Sequence, residues 1–260
     1  MKAATGDLRL LQLGSVAFLK RFSDLCERHG LRFWIDSGTL LGAVRHRGFI
    51  PWDDDIDVVM LEDDYDRLYA MARDPNSEFS RALAEDGFVS KWCAIGQIYH
   101  KKMRLQIDIF PWDFHCEKSM DDKEIADFRR AMEEENKNDR YWNVTPEERK
   151  VIHDKLRGGR PPDPHGMLFM GAGFRQNPHQ IHSYDSVFPL KTIQFEWLTV
   201  PAPRDPSPIL ETYYGNWKVP PLPARRRPRH LWRCGCYTEG TTREDVRKFI
   251  DKYAPNGCRS

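Results

Sequence analysis

The stretch from Trp34 to Met60, WIDSGTLLGAVRHRGFIPWDDDIDVVM, constrains the fold more than any other part of the chain. A glycine-containing turn leads into Asp53, Asp54, Asp55 and Asp57, and these carboxylates run directly into Ile56, Val58, Val59 and Met60. Side chains on a strand alternate between faces, so Asp55 and Asp57 share one face, with Cα atoms ~6–7 Å apart, while Ile56 and Val58 face the core. A solvated acidic turn does not alternate into an apolar strand in this way. Parity leaves Asp54 facing away, whereas Asp53 shares the parity of the pair and is ranked outside it because it lies close to the Pro51-Trp52 turn. Carboxylates this close repel, and burial raises the cost, so a compensating divalent cation is expected. An EF-hand loop is excluded, because its sixth and twelfth positions, counted from Asp53, are Val58 and Asp64 instead of glycine and glutamate.

The remaining elements follow from periodicity. Leu8, Leu11, Phe18, Phe22 and Leu25 predict an amphipathic helix over 7–29, ending at Gly30. Residues 32–36 and 55–60 read as strands, 37–47 as a turn entering a short helix, and 62–73 as a helix. A further strand over 104–110 is expected to stop at Pro111, and it carries Asp108 in its apolar end. Residues 121–139 and 146–157 read as charged helices, 158–180 as a long loop without a period, 193–200 as one alternating strand, and 208–214 as a short helix ending at Gly215. A capping box, Thr241 to Glu244, opens a last helix. This order predicts an α/β or α+β fold with a mixed sheet. At 260 residues the chain suits one catalytic domain over 1–260: a core at about 30–115, a helical and loop insert at about 116–190, and a C-terminal part at about 191–260.

Charge is nearly balanced, with 40 Lys and Arg against 39 Asp and Glu, so no global field argues for nucleic acid as partner. The sequence offers neither a signal peptide nor an apolar run long enough to span a bilayer, and a cytoplasmic protein is expected. The six cysteines are scattered, which predicts mostly reduced thiols.

The chemistry is concentrated in a few residues. If the strand bearing Asp108 lies beside that of Asp55 and Asp57, the three carboxylates form a site for one or two Mg²⁺ or Mn²⁺ ions. Gly38 and Thr39 open a helix after a strand, where backbone N–H groups and a hydroxyl can hold phosphate, and Arg45 and Arg47 follow with guanidinium groups suited to the same anion. Salt bridging to the neighbouring aspartates is the alternative use of either arginine. Together these parts describe phosphoryl or nucleotidyl transfer.

These blocks, followed by Ile107-Asp-Ile-Phe-Pro111, Phe188-Pro-Leu-Lys191 and Tyr214-Gly-Asn-Trp217, resemble the LicD/fukutin family of phosphocholine- and ribitol-phosphate-type transferases. The resemblance implies a nucleotidyltransferase-like mixed sheet flanked by helices, with a helical and irregular C-terminal extension. It implies Asp55, Asp57 and Asp108 as metal-binding catalytic carboxylates, Asp108 doubling as a general base, and Gly38-Thr39 as the glycine-serine-type turn. The implied reaction moves a phospho-alcohol from a CDP-linked donor to a hydroxyl of a glycan or glycolipid and releases CMP. Lys191 is a further candidate for donor phosphate. Competing readings are a sugar-nucleotide glycosyltransferase using Asp55-Ile-Asp57 and a noncatalytic nucleotide-binding scaffold. Trp52, Trp112 and Trp142 are candidate aromatic walls, His46 a weak candidate catalyst, and His230, Cys234, Cys236 and Cys258 a weak zinc pattern. The basic run Arg225 to Arg229 is either solvated surface or a contact for an anionic acceptor or membrane, so peripheral membrane association is a further expectation.

Overall fold

The computed structural model describes residues 3–92, 95–135, 144–170, 180–228 and 240–254. Its centre is a mixed sheet built on β1 (Trp34–Ile35), β2 (Ile56–Leu61), β3 (Phe88–Trp92), β4 (Gly96–His100) and β5 (Gln106–Phe114), in the order β1-β2-β5-β4-β3. The β2–β5 pair is parallel, and the other pairs along this path are antiparallel. This bears out the mixed α/β architecture.

β2 and β5 carry near-continuous apolar runs, as strands covered on both faces must. Ile56, Val58, Val59, Met60, Ile107, Ile109 and Phe110 are all buried. The cover includes α1 (Gly6–Arg28), whose Phe18, Phe22 and Leu25 are fully buried, and α3 (Glu62–Arg73), which buries Tyr65 and Leu68. α2 (Ser37–His46) connects β1 to the loop before β2, and α4 (Glu78–Glu85) precedes β3.

Four sequence expectations are corrected. The central strand runs through Pro111 instead of stopping there. On the edge of β5 opposite β2, β4 pairs as far as Ile109, and β6 (Leu168–Met170) begins at Trp112. Pro111 falls in the gap, so its missing N–H breaks no rung of either antiparallel ladder. β6 itself lies in the segment expected to be a loop. Its four-residue apolar run Met167 to Met170 is buried throughout and shows no alternation to betray a strand. β6 pairs with β7 (Ile181–His182), which α7 (Tyr184–Val187) follows.

The single strand expected over 193–200 is a hairpin of β8 (Lys191–Phe195) and β9 (Leu198–Ala202). Its turn uses Glu196 at φ +53, where glycine or asparagine would be the usual signal. Glu196 is held there by Arg9, at 2.8 Å through both guanidinium nitrogens, and its Oε1 accepts the Phe49 N–H at 3.0 Å. Finally, the last capping box is Thr242 with Asp245, one residue later than expected, opening α9 (Arg243–Tyr253).

The insert is docked by buried charge. From α6 (Pro146–Leu156), which follows α5 (Asp122–Glu135), Arg149 pairs with Glu62 and, at 2.7 Å, with Asp66. His153 Nδ1 hydrogen-bonds Asp113 and lies 3.0 Å from a Glu62 oxygen, while Arg157 pairs with Asp113. Burial opposes protonation of His153, but hydrogen bonds to Asp113 and Glu62 outweigh it and hold its pKa above the ordinary value. Burial likewise opposes ionisation of Glu62, yet His153 and Arg149 keep its pKa low.

Removing one partner of such a network strands buried charge, so Arg149→Ala should cost about 3–5 kcal/mol in chemical denaturation. The raised His153 contributes stability in full below its unfolded pKa and loses it as pH rises through the folded value. The deficit of His153→Gln against the parent should therefore shrink as denaturation is repeated upward from pH 6 to 9.

Candidate active site

The carboxylate site is assembled by register. In the parallel β2–β5 pair Asp57 is the direct partner of Asp108, so the two side chains leave the same face of adjacent strands. Asp55 ends the loop just before β2, and ligand oxygens of Asp55, Asp57 and Asp108 all lie within 4.8 Å of one another. All three residues are buried. Asp53, ranked outside the pair for its nearness to the Pro51-Trp52 turn, is drawn in too, since oxygens of Asp53, Asp54 and Asp55 form a second group within 4.8 Å.

Gly38 sits in the first turn of α2, and its N–H donates to Asp57 Oδ2 at 3.2 Å. The positive end of the helix therefore faces this carboxylate. A Cβ at position 38 would stand 2.7 Å from Asp53 Oδ2, so the close approach requires glycine. Thr39 is buried, and its hydroxyl accepts the Asp57 N–H at 2.9 Å, which ties the turn to the strand.

Burial, followed by the charges of Asp55, Asp108, Asp53 and Asp36, pushes the Asp57 pKa well above the carboxylate range. Its strongest charged neighbours are thus all acids. A hard divalent cation suits such an all-oxygen set, and Asp55, Asp57 and Asp108 are the residues that would hold it.

Residues 30–139, which contain all three carboxylates, match the family model described as LicD/FKTN/FKRP, nucleotidyltransferase domain. Over these residues the chain is similar to a LicD/FKTN/FKRP nucleotidyltransferase domain. Over 117 residues it is 44% identical to the lipopolysaccharide cholinephosphotransferase LicD of Haemophilus influenzae, covering 41% of this chain and 44% of that protein. It is 31% identical over 90 residues to the ribitol 5-phosphate transferase FKRP of Homo sapiens and, equally, of Mus musculus, covering 33% of this chain and 18% of those proteins. The chain thus spans less than half the length of these relatives.

Around the carboxylates, several contacts were not foreseen from sequence. Gln97, opposite Asp108 on β4, donates to Asp108 Oδ1 at 2.9 Å and orients it. Asp36, directly after β1 and before α2, is buried and accepts a hydrogen bond from the Tyr213 hydroxyl at 3.0 Å. Burial raises its pKa to about 6 against that hydrogen bond. Tyr213 Oη in turn lies 3.3 Å from Nε2 of His182, which burial keeps neutral with a pKa of about 3. Tyr213 and Tyr214 end α8 (Pro206–Tyr214), beyond the matched stretch. The Tyr214 ring is partly exposed, but burial of its phenol end and then the charges of Asp57, Asp53, Asp36 and Asp55 push its pKa up, so a neutral phenol faces the acids.

The predicted arginines separate. Arg45 is half-buried and donates to the Trp217 carbonyl at 2.8 Å and to the His46 ring at 2.9 Å. His46 is neutral as a result, with its pKa lowered to about 4 by burial and then by Arg45. Arg47 is exposed and closes α2 at φ +58. Lys191 stands exposed at the head of β8, in the separate two-stranded sheet. Trp112 is buried and stacked on His182 as core, and Trp52 is half-buried under Arg226. Trp142, His230, Cys234, Cys236 and Cys258 lie outside the described residues. Cys26 and Cys116 are free thiols.

A carboxylate whose folded pKa is raised lowers stability as pH climbs from its unfolded value toward the folded one. Asp57→Asn removes that penalty, so without divalent cations its melting temperature should exceed the parent's at pH 7.5. About 2–4 °C is expected for each kcal/mol recovered in a chain of this size. Addition of Mg²⁺ or Mn²⁺ should raise the melting temperature of the parent and leave Asp57→Asn unmoved. An equal shift in both would remove Asp57 from the cation site.

Proposed function

We propose that the chain is a divalent-cation-dependent transferase. In this reading it moves a phospho-alcohol, of the phosphocholine or ribitol phosphate type, from a CDP-linked donor to a hydroxyl of a glycan or glycolipid and releases CMP. The observation that carries the reading is the in-register pair Asp57 and Asp108, with Asp55 beside them and the α2 N-terminus directed at Asp57. Support for the transferred group comes from the relatives, whose names specify a cholinephosphotransferase acting on lipopolysaccharide and a ribitol 5-phosphate transferase.

A cation bound by Asp55, Asp57 and Asp108 would offset charge on the donor phosphates. The protein supplies the rest. Gly38 lets Asp53 and Asp57 close on the backbone of the turn, and Arg45, fixed by its bond to the Trp217 carbonyl, is a candidate partner for the donor phosphates. Asp108, oriented by Gln97, takes the proton of the acceptor hydroxyl as its oxygen attacks the transferred phosphorus. The bond from that phosphorus to the CMP oxygen breaks, CMP leaves with the electron pair, and a phosphodiester remains.

Purified protein incubated with Mg²⁺ or Mn²⁺, CDP-choline or CDP-ribitol, and a lipopolysaccharide-type acceptor should release CMP. Asp55→Asn and Asp57→Asn should each lower that release by about 10²–10³ or more while the protein stays folded by circular dichroism. Undiminished CMP release in both variants would refute the assignment. Transfer of a sugar with release of a nucleoside diphosphate would replace it with glycosyl transfer.

A further inference from the structure

We infer that the loop from Trp217 to Pro228 seats the protein on an anionic membrane surface, beside the carboxylate site. Among the described residues five large hydrophobic side chains are exposed, and three of them, Tyr214, Val219 and Leu222, fall within nine positions. Val219 is 62% and Leu222 72% exposed. The same segment carries Lys218, Arg225, Arg226 and Arg227, and the sequence holds no acidic residue from Thr212 to Thr238. On a chain of net charge +1 this is a local concentration of positive charge.

The loop is held from its inner side. Trp217 is buried, its carbonyl accepts from Arg45, Arg226 donates to the Pro221 carbonyl at 2.8 Å, and the Arg226 guanidinium lies 5.5 Å over the Trp52 ring. Pro220, Pro221 and Pro223 stiffen the backbone between these anchors. Val219 and Leu222 are therefore presented outward by a fixed loop, with guanidinium groups alongside. Apolar side chains set among cations suit the boundary of a bilayer, where the former enter the acyl edge and the latter meet anionic headgroups. Nucleic acid would engage the cations but gain nothing from Val219 and Leu222.

The anchor residue Trp52 immediately precedes Asp53, so the docked face adjoins the acidic pocket. Resting on the proposed function, this placement suits an acceptor glycan carried on a lipid.

The test is sedimentation of the full chain with vesicles of phosphatidylcholine alone or with about 30% phosphatidylglycerol, at low and raised salt. Anionic vesicles should bind at least about tenfold more tightly, and salt should weaken that binding. Arg225→Glu with Arg227→Glu, and separately Val219→Asp with Leu222→Asp, should each reduce it about tenfold or more, with unchanged thermal melting and unchanged CMP release on a soluble acceptor. Absence of vesicle binding, or equal binding by parent and both double variants, overturns the inference. So does self-association that the Val219→Asp/Leu222→Asp pair abolishes, which would assign the patch to a second copy of the chain. Because binding is read without donor or acceptor, failure of the proposed reaction leaves this result standing, and the reverse holds too.

Discussion

The parallel pairing of β2 with β5 is the constraint on which the site depends. It sets Asp57 against Asp108 on neighbouring strands, in a part of the sheet buried on both faces. Two carboxylates at that separation cannot both ionise without compensation, and burial removes the water that would otherwise screen them. The α2 N-terminus provides part of the compensation through the Gly38 N–H, which explains why a helix begins within two residues of β1. The rest is what a divalent cation would provide. The strand register thus creates a strained electrostatic problem whose solution is the chemistry proposed.

Elements distant in sequence hold that geometry. Arg9, at the start of α1, fixes Glu196 in a left-handed turn, and Glu196 reaches Phe49 in the loop leading to the aspartates. Gln12, one turn further, donates to the Ile50 and Asp53 carbonyls at 3.2 and 2.9 Å. On the other side, the Tyr213 hydroxyl ties α8 to Asp36, directly before the glycine turn. The N-terminal helix and the hairpin therefore brace the loop before β2, and α8 braces the turn that opens α2, and firmly held segments are what positioning of a phosphoryl donor requires.

What could be read from sequence follows the range of each interaction. Alternation around Asp55 to Met60 and periodicity in α1 and α3 are local, and both identified their elements. Asp108 was placed from its apolar strand, and the structure puts it beside Asp57. Failures arose where the deciding partner lies far along the chain. Glu196 is a poor turn residue until Arg9 holds it, 187 positions away. Pro111 looks like a strand end unless the gap between β4 and β6 is known. Asp36 and Tyr213, 177 positions apart, carry no motif that would join them. Asp53 shares the parity of Asp55 and Asp57 and was set outside only for its nearness to the Pro51-Trp52 turn, yet its oxygens lie beside those of Asp54 and Asp55, and the missing Cβ of Gly38 leaves room for its carboxylate.

A second acidic pair lies at the ends of the same two strands, and the contrast sharpens the meaning of the first. Glu62 directly follows β2 and Asp113 lies near the end of β5, each five positions beyond Asp57 or Asp108. On β5 an odd step reverses the face, so Asp113 and Asp108 point to opposite sides of the sheet. Glu62, Asp113 and His153 also bring ligand atoms within 4.8 Å of one another, the spacing of a metal site. There, however, Arg149 and Arg157 supply the positive charge, and the Glu62 and Asp113 pKa values are lowered. At Asp57 the dominant neighbours are acids and the pKa is raised. The fold thus neutralises one acid cluster with its own side chains, using it to dock α6, whereas the dominant charges acting on Asp57 are acidic. That difference, more than the number of aspartates in the Trp34 to Met60 run, separates a structural ion network from the site proposed to receive a cation and a phosphate.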